Sequence, residues 1–221
     1  YLGSIVKDPV LLKTLTPDYP LGCKRLLVLE NYYETLIQDH VEVTDSPIKE
    51  ILSNSIIDSN NIEREVDVLI YGTGFQTTKF LSPIEIINHN NISLDQYWVE
   101  GPTAHRGITV SEFPNLFLLY GPNTNLGHNS IIFMIECQVK YAISCMSRVI
   151  KLKKKFIVPK NEAMKTYNKE LQEGLEKTVF SSNCNSWYKN SSGKIINNYH
   201  KGHLEYFFEN TSPKFKEYKI N

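Results

Sequence analysis

The stretch Gly121-Pro-Asn-Thr-Asn-Leu-Gly-His-Asn-Ser130 constrains this chain most, because of what flanks it. Before it, Asn115-Leu-Phe-Leu-Leu-Tyr120 is apolar, too short for a helix and bounded by Pro114 and Pro122, which predicts a buried strand. After it, Ile131, Ile135, Val139, Ala142, Met146 and Ile150 recur at helical spacing. Glu136, Lys140, Ser144, Ser147 and Lys151 fall opposite them, which predicts an amphipathic helix capped by Asn129 or Ser130. A strand, a glycine-containing loop and a helix N-terminus together present free backbone N–H groups and a positive dipole end to an anion or an electron-rich ring. Any α/β protein contains such turns, so the rest of the chain must decide what this one does.

Lys+Arg and Asp+Glu both number 24 in 221 residues, which removes the usual electrostatic case for nucleic acid or an anionic membrane as partner. No apolar run reaches the length of a bilayer span. Cys23, Cys137, Cys145 and Cys184 form neither a CxxC nor a dense disulfide framework, which fits a reducing, cytoplasmic setting. The chain begins with Tyr rather than Met, as part of a longer chain would.

Along the chain, Tyr1–Leu15 suggests the end of a helix, and Thr16–Arg25 is a loop broken by two prolines and a glycine. Leu26–Leu29 suits a short strand or helical turn, Asn31–Ile37 a short helix, and His40–Thr44 a strand. Ile48–Leu52 and Ser55–Ile57 suggest a meander with a turn at Asp58–Asn61. Glu65–Tyr71 predicts a second strong strand, followed at once by Gly72-Thr-Gly-Phe75, where two glycines permit a tight turn or close approach to a ligand. Thr77–Gly107 is irregular. Asn161–Thr178 predicts a helix with Met164, Tyr167, Leu171, Leu175 and Val179 inward. Ser181–Phe208 suggests an aromatic, loop-rich cap, with a frayed tail after Glu209.

Several residues carry possible chemistry. Cys184, His200 and His203 have a metal-like spacing but lack a fourth ligand, so no metal is assigned. His105 and His128 lie beside glycine-bearing loops, where a structural histidine is the commoner case. Lys24-Arg25 is either a solvated pair or an anion site, with Lys a point charge and Arg a planar fork.

Pro17-Asp-Tyr-Pro-Leu-Gly-Cys-Lys-Arg25, Asn31-Tyr-Tyr33, Val66-Asp-Val-Leu-Ile-Tyr-Gly-Thr-Gly-Phe75, Phe113–Asn123 and Leu126–Ser130 with Glu136 and Gln138 resemble, in order, the class B flavin monooxygenases. The likeness is to the Baeyer–Villiger group, especially its hydroxyacetophenone-monooxygenase-like branch, and Asn185-Ser-Trp-Tyr188 extends it into the C-terminal region. The resemblance implies a partial Rossmann-like FAD/NAD(P)-binding α/β fold with a β-meander and a C-terminal helical and loop cap. On that basis residues 1–35 end an NADP-binding domain and linker, 36–152 form the C-terminal part of an FAD-binding domain, and 153–221 form the cap. In the family, NADPH reduces FAD, O₂ adds to give a peroxyflavin, and one oxygen atom enters a ketone or soft heteroatom of a small organic substrate.

By position, the resemblance makes Arg25 the catalytic arginine and Lys24 a cofactor contact near the NADP 2′-phosphate. It makes Gly72, Thr73 and Gly74 the family's second glycine motif, where Gly72 replaces the usual Ala. Asn123, Leu126, Gly127, His128 and Asn129 become cofactor-binding residues beside the flavin. The sequence contains no G-x-G-x-x-G, so the phosphate-cradling first turn of the FAD fold is missing. The chain corresponds to roughly the C-terminal 40% of such an enzyme by motif order and requires an N-terminal FAD-binding half for a complete site. Two other readings stand: a non-catalytic remnant or binding module, and a related flavin reductase or oxidase that never oxygenates substrate.

Overall fold

A computed structural model describes residues 1–127 and 129–221. His128 lies outside the described residues. The described elements form a mixed α/β chain with two small antiparallel sheets and two compact units, residues 1–18 with 27–75 and residues 19–26 with 76–221.

In the first unit, two short helices, α1 (Leu2–Ile5) and α2 (Pro9–Leu15), are followed by α3 (Tyr32–Leu36). Asp8 caps α2 by accepting the Val10 and Leu11 amides, and Pro9 occupies the first turn, where its missing N–H costs nothing. The expected meander forms as β1 (Ile48–Ile51), β2 (Ser55–Asp58) and β3 (Glu63–Glu65). Asp58 fixes its turn, accepting the Asn60 and Ile62 amides and pairing with the Arg64 guanidinium at 2.7 Å. The Ile62 amide first, then Arg64, hold its carboxyl below the usual range.

Three strand expectations fail. His40–Thr44 is irregular. Beyond β3, residues 66–75 run without a strand partner among the described residues, leaving Val68, Ile70 and Phe75 exposed. Asn115–Tyr120 is not a buried strand either. One bridge joins Phe117 to Thr109, Leu118 alone is fully buried, and Leu119 and Tyr120 face outward. Apolar runs specify extended backbone, but a strand exists only where a neighbour accepts and donates its hydrogen bonds.

The second unit is built on α5 (Ile131–Lys151), which follows the short α4 (Leu94–Tyr97). The sequence missed α4, although its ends are defined by a reciprocal capping box between Ser93 and Gln96. Ser130 caps α5, its hydroxyl accepting the Phe133 amide at 3.4 Å. The buried face of α5 is Met134, Cys137, Gln138, Tyr141, Ala142 and Cys145. The apolar stripe read from the sequence is therefore mostly not the core face: of its six members only Ala142 is fully buried, while Met146 and Ile150 are exposed together with Ile132 and Ile143. This helix is apolar on two sides.

β4 (Ile157–Pro159) and α6 (Asn161–Leu175) come next, with Met164, Leu171 and Leu175 buried as expected. α7 (His203–Asn210) packs on α5. The tail is not frayed. β5 (Tyr218–Ile220) pairs antiparallel with β4, and the Tyr218 hydroxyl lies 2.8 Å from that of Tyr141 and 3.0 Å from Thr109. The cap is equally core-forming, since Tyr188, Tyr199 and Tyr206 are buried. Trp98 is core as well. No described helix is long and apolar enough to cross a membrane.

Candidate functional site

Within the second unit, two segments carry predicted site residues, the loop at 19–26 and the loop at 121–127 with Asn129, and the cap around 184–199 packs on both. The middle loop is shaped by asparagine. Asn123 adopts a left-handed backbone at φ 57°, which suits Asn better than most side chains. Its side-chain amide donates to the carbonyls of Ile195 (2.9 Å) and Asn198 (3.0 Å). The Asn125 amide donates to Asn198 Oδ1 at 2.8 Å, and its backbone exchanges hydrogen bonds with Asn197 and Tyr199. These contacts account for both asparagines, so Asn123 is a loop-builder in this chain.

Gly121 has a packing role. A side chain there would meet the Gly107 carbonyl oxygen at 2.3 Å, and one at Gly107, whose φ is +71°, would meet Thr124 at 2.1 Å. The two backbones touch because neither residue has a Cβ. Leu126 is buried, and Gly127 faces Phe180 and Tyr188 at ordinary contact distance. Asn129 accepts the Ser130 amide at 2.7 Å, and its side-chain nitrogen lies 2.7 Å from His203 Nδ1.

Gln138, fully buried on α5, locks this loop to the cap. Its Oε1 accepts the Tyr120 amide at 2.7 Å and its Nε2 donates to the Tyr206 hydroxyl at 3.0 Å. Tyr120 in turn donates its hydroxyl to Asn125 at 3.2 Å. Polar residues on helix faces are usually solvated, so only the neighbouring motif marks Gln138 in the sequence.

Lys24 sits with its ammonium 4.2 Å from the Tyr19 ring centroid, and Arg25 is exposed. Burial pushes the Tyr120 and Tyr188 phenols up, and the Arg25 guanidinium nearby pulls both back. The Arg25 charge is therefore felt at Tyr120, just before the 121–127 loop, and at Tyr188 in the cap. The sequence also missed the bond that holds this loop to the cap: Cys23 and Cys184 form a disulfide, with Cα atoms 6.6 Å apart. A separation of 161 residues gave no spacing signal. The spacing of the four cysteines suggests no disulfide framework and a reducing setting; the observed pair departs from that and removes Cys184 from any metal set. Among the described residues no group of three or more His, Cys, Asp or Glu could hold a metal ion.

Gly72, Thr73 and Gly74 lie in the first unit. Gly74 takes φ +83°, and a Cβ on Gly72 or Gly74 would meet nothing within 4 Å. Their backbone is open to a ligand or to another segment. A cavity of about 850 Å³, lined by residues such as Ile86, Phe113, Leu116 and Phe156, includes none of the predicted site residues. Its walls carry no converging catalytic set, so it is not the candidate site.

No protein-family model matches the chain. Its relatives and structural neighbours nevertheless agree on a class: the chain is the counterpart of the C-terminal portion of FAD-binding, Baeyer–Villiger-type monooxygenases. It is 40% identical over 202 residues to the FAD-binding monooxygenase ktnD of Aspergillus niger, a match covering 89% of this chain and 33% of that protein. It is 39% identical over 189 residues to a Baeyer–Villiger monooxygenase of Pseudomonas aeruginosa, covering 85% of this chain and 36% of the relative. The crystal structure of OTEMO in complex with FAD and NADP superposes with a TM-score of 0.86 at 27% identity, over 100% of this chain and 42% of that one. The chain thus spans about a third of the length of the curated relatives it matches.

Proposed function

We propose that this chain forms the C-terminal portion of an FAD- and NADPH-dependent monooxygenase that inserts one O₂-derived oxygen atom into a ketone or soft heteroatom of a small organic substrate. The observation that carries the reading is the likeness, over 85–89% of this chain, to FAD-binding and Baeyer–Villiger monooxygenases of which it spans about a third. Residues 1–35 then end the NADP-binding domain, 36–152 belong to the FAD-binding domain, and 153–221 are the cap, folded into one unit with residues 76–152. The fold in full is a partial Rossmann-like one whose missing strands come from the N-terminal half. Unpaired extended backbone at 66–75 and the second apolar face of α5 support this, since both have the chemistry of a sheet and helix awaiting neighbours.

The residues fit the two cofactors at their edges. Open glycines at 72 and 74 permit close backbone approach, and the α5 N-terminus favours negative charge near the 126–129 loop. The flavin supplies the activation of O₂ when bound. The guanidinium of Arg25 presents a planar fork of donors, which suits it to hold an oxyanion and to orient the nicotinamide. Lys24 suits a phosphate as a point charge. Leu126, Gly127 and Asn129 would hold the flavin near that helix end, and His128 would join them by its place in the motif.

Replacing Arg25 with Ala tests the assignment. In the P. aeruginosa relative with its matching portion exchanged for this chain, R25A should keep bound FAD and lose oxygenation by at least about 100-fold. Undiminished product would remove Arg25 from the mechanism. The sequence has no GxGxxG, which favours the second reading for the chain by itself: alone it is a non-catalytic module.

A further inference from the structure

Among the described residues, no hydrogen bond or ion pair joins residues 19–26 to the rest of the second unit. The one backbone bond recorded in the segment, from the Cys23 amide to the Pro20 carbonyl, is internal. What connects it is packing of Gly22 toward Val179 and the covalent bond from Cys23 to Cys184. Cys23 is fully buried, whereas Cys184 is half-buried and reachable from solvent. The cap end of the bond is anchored, since the Lys189 ammonium donates to the carbonyls of Ser181 and Ser182 and the Tyr188 ring packs edge-on against Phe180. Cys137 and Cys145 are buried on α5, where burial pushes both thiols up and leaves them poor competitors for oxidant.

We propose that Cys23 and Cys184 are a reversible thiol–disulfide site that fastens the Lys24-Arg25 loop to the cap when oxidised and frees it when reduced. The oxidant class is a peroxide. The half-buried Cys184, as its thiolate, attacks one peroxide oxygen, the O–O bond breaks, and with one proton taken up a sulfenic acid and water result. The Cys23 thiolate then attacks that sulfur, the S–O bond breaks, and a second water leaves as the disulfide forms. Two thiols lose two electrons and hydrogen peroxide is reduced to two waters. A small dithiol reverses the step by exchange through a mixed disulfide. The tether stands on its own geometry. Its effect on oxygenation rests on the function proposed for Arg25.

The test needs no flavin, so it can fail while the flavin reading stands, and the reverse. The 221-residue chain is equilibrated with hydrogen peroxide or with dithiothreitol, alkylated, mapped by peptide mass spectrometry and followed by amide hydrogen exchange. The peroxide sample should yield a 23–184 linked peptide with Cys137 and Cys145 still alkylated. Exchange at the Cys23 amide, the one hydrogen-bonded amide recorded in residues 19–26, should run at least about tenfold faster after reduction, with α5 and α6 unchanged. Cys184→Ser should exchange at the fast rate in both conditions. If that variant does not fold, the reduced parent chain supplies the same comparison. Absence of the linked peptide, a link to Cys137 or Cys145, or equal exchange in both states would overturn the proposal.

Discussion

Arg25 is exposed and Gln138 is buried, yet the candidate site depends on both. Gln138 satisfies one backbone amide and one phenol in a dry interior, where an unmade hydrogen bond costs more than a made one contributes. Gln138→Leu should destabilise the chain by about 2–4 kcal/mol, read as a lowered urea midpoint with an unchanged slope. His105 offers a pH test. Burial and the neighbouring Arg106 depress its imidazole to about 4, although Glu217, 3.0 Å away, pulls the other way. The unfolded chain therefore takes up this proton first as pH falls. Stability is fully present above about pH 6.5 and drains away between 6.5 and 4, by on the order of 3 kcal/mol from this residue. Urea midpoints measured from pH 7 to 4.5 should fall, and His105→Gln should flatten the slope. At this scale the sequence was legible at His105, read as a structural histidine and found buried with Glu217 as its partner. It was silent on Asn198, whose partners lie far along the chain.

The elements follow a similar rule. Helices α5 and α6 and the β1–β3 meander were legible because their hydrogen bonds are local or nearly so. The strands expected at 65–71 and 115–120 do not form as such, because an apolar run fixes an extended backbone and leaves its neighbours unspecified. The same limit hid β5, whose partner β4 lies some sixty residues earlier in the chain. Which side of α5 faces the core was misread for another reason: a helix apolar on two sides has no single stripe to follow. The two faces should respond differently. Met134→Ala, on the buried side, should cost about 2–5 kcal/mol in the 221-residue chain, whereas Ile143→Lys, on the open side, should change stability by less than about 0.5 kcal/mol. Equal effects in thermal or urea unfolding would mean that the open side is covered within this chain.

For the whole molecule, the exposed apolar surface is the dominant fact. Ile132, Ile143 and Ile150 on α5 and Val68, Ile70 and Phe75 after β3 would each gain roughly 1.5–3 kcal/mol from full burial. A chain carrying such surface in water should bind a hydrophobic dye and self-associate with rising concentration, which light scattering would detect. Under the proposed function, that surface would pack against the further portion that the longer relatives carry.

The most direct measurement of the account is the oxygen mass balance of the hybrid in which this chain replaces its counterpart in the P. aeruginosa relative. With FAD bound, NADPH supplied and a ketone or sulfide offered under ¹⁸O₂, the product should gain one ¹⁸O atom, and R25A should abolish that gain while FAD stays bound. A hybrid that holds FAD and consumes NADPH, yet leaves ¹⁸O out of every product tried, would contradict the assignment of this chain to a monooxygenase.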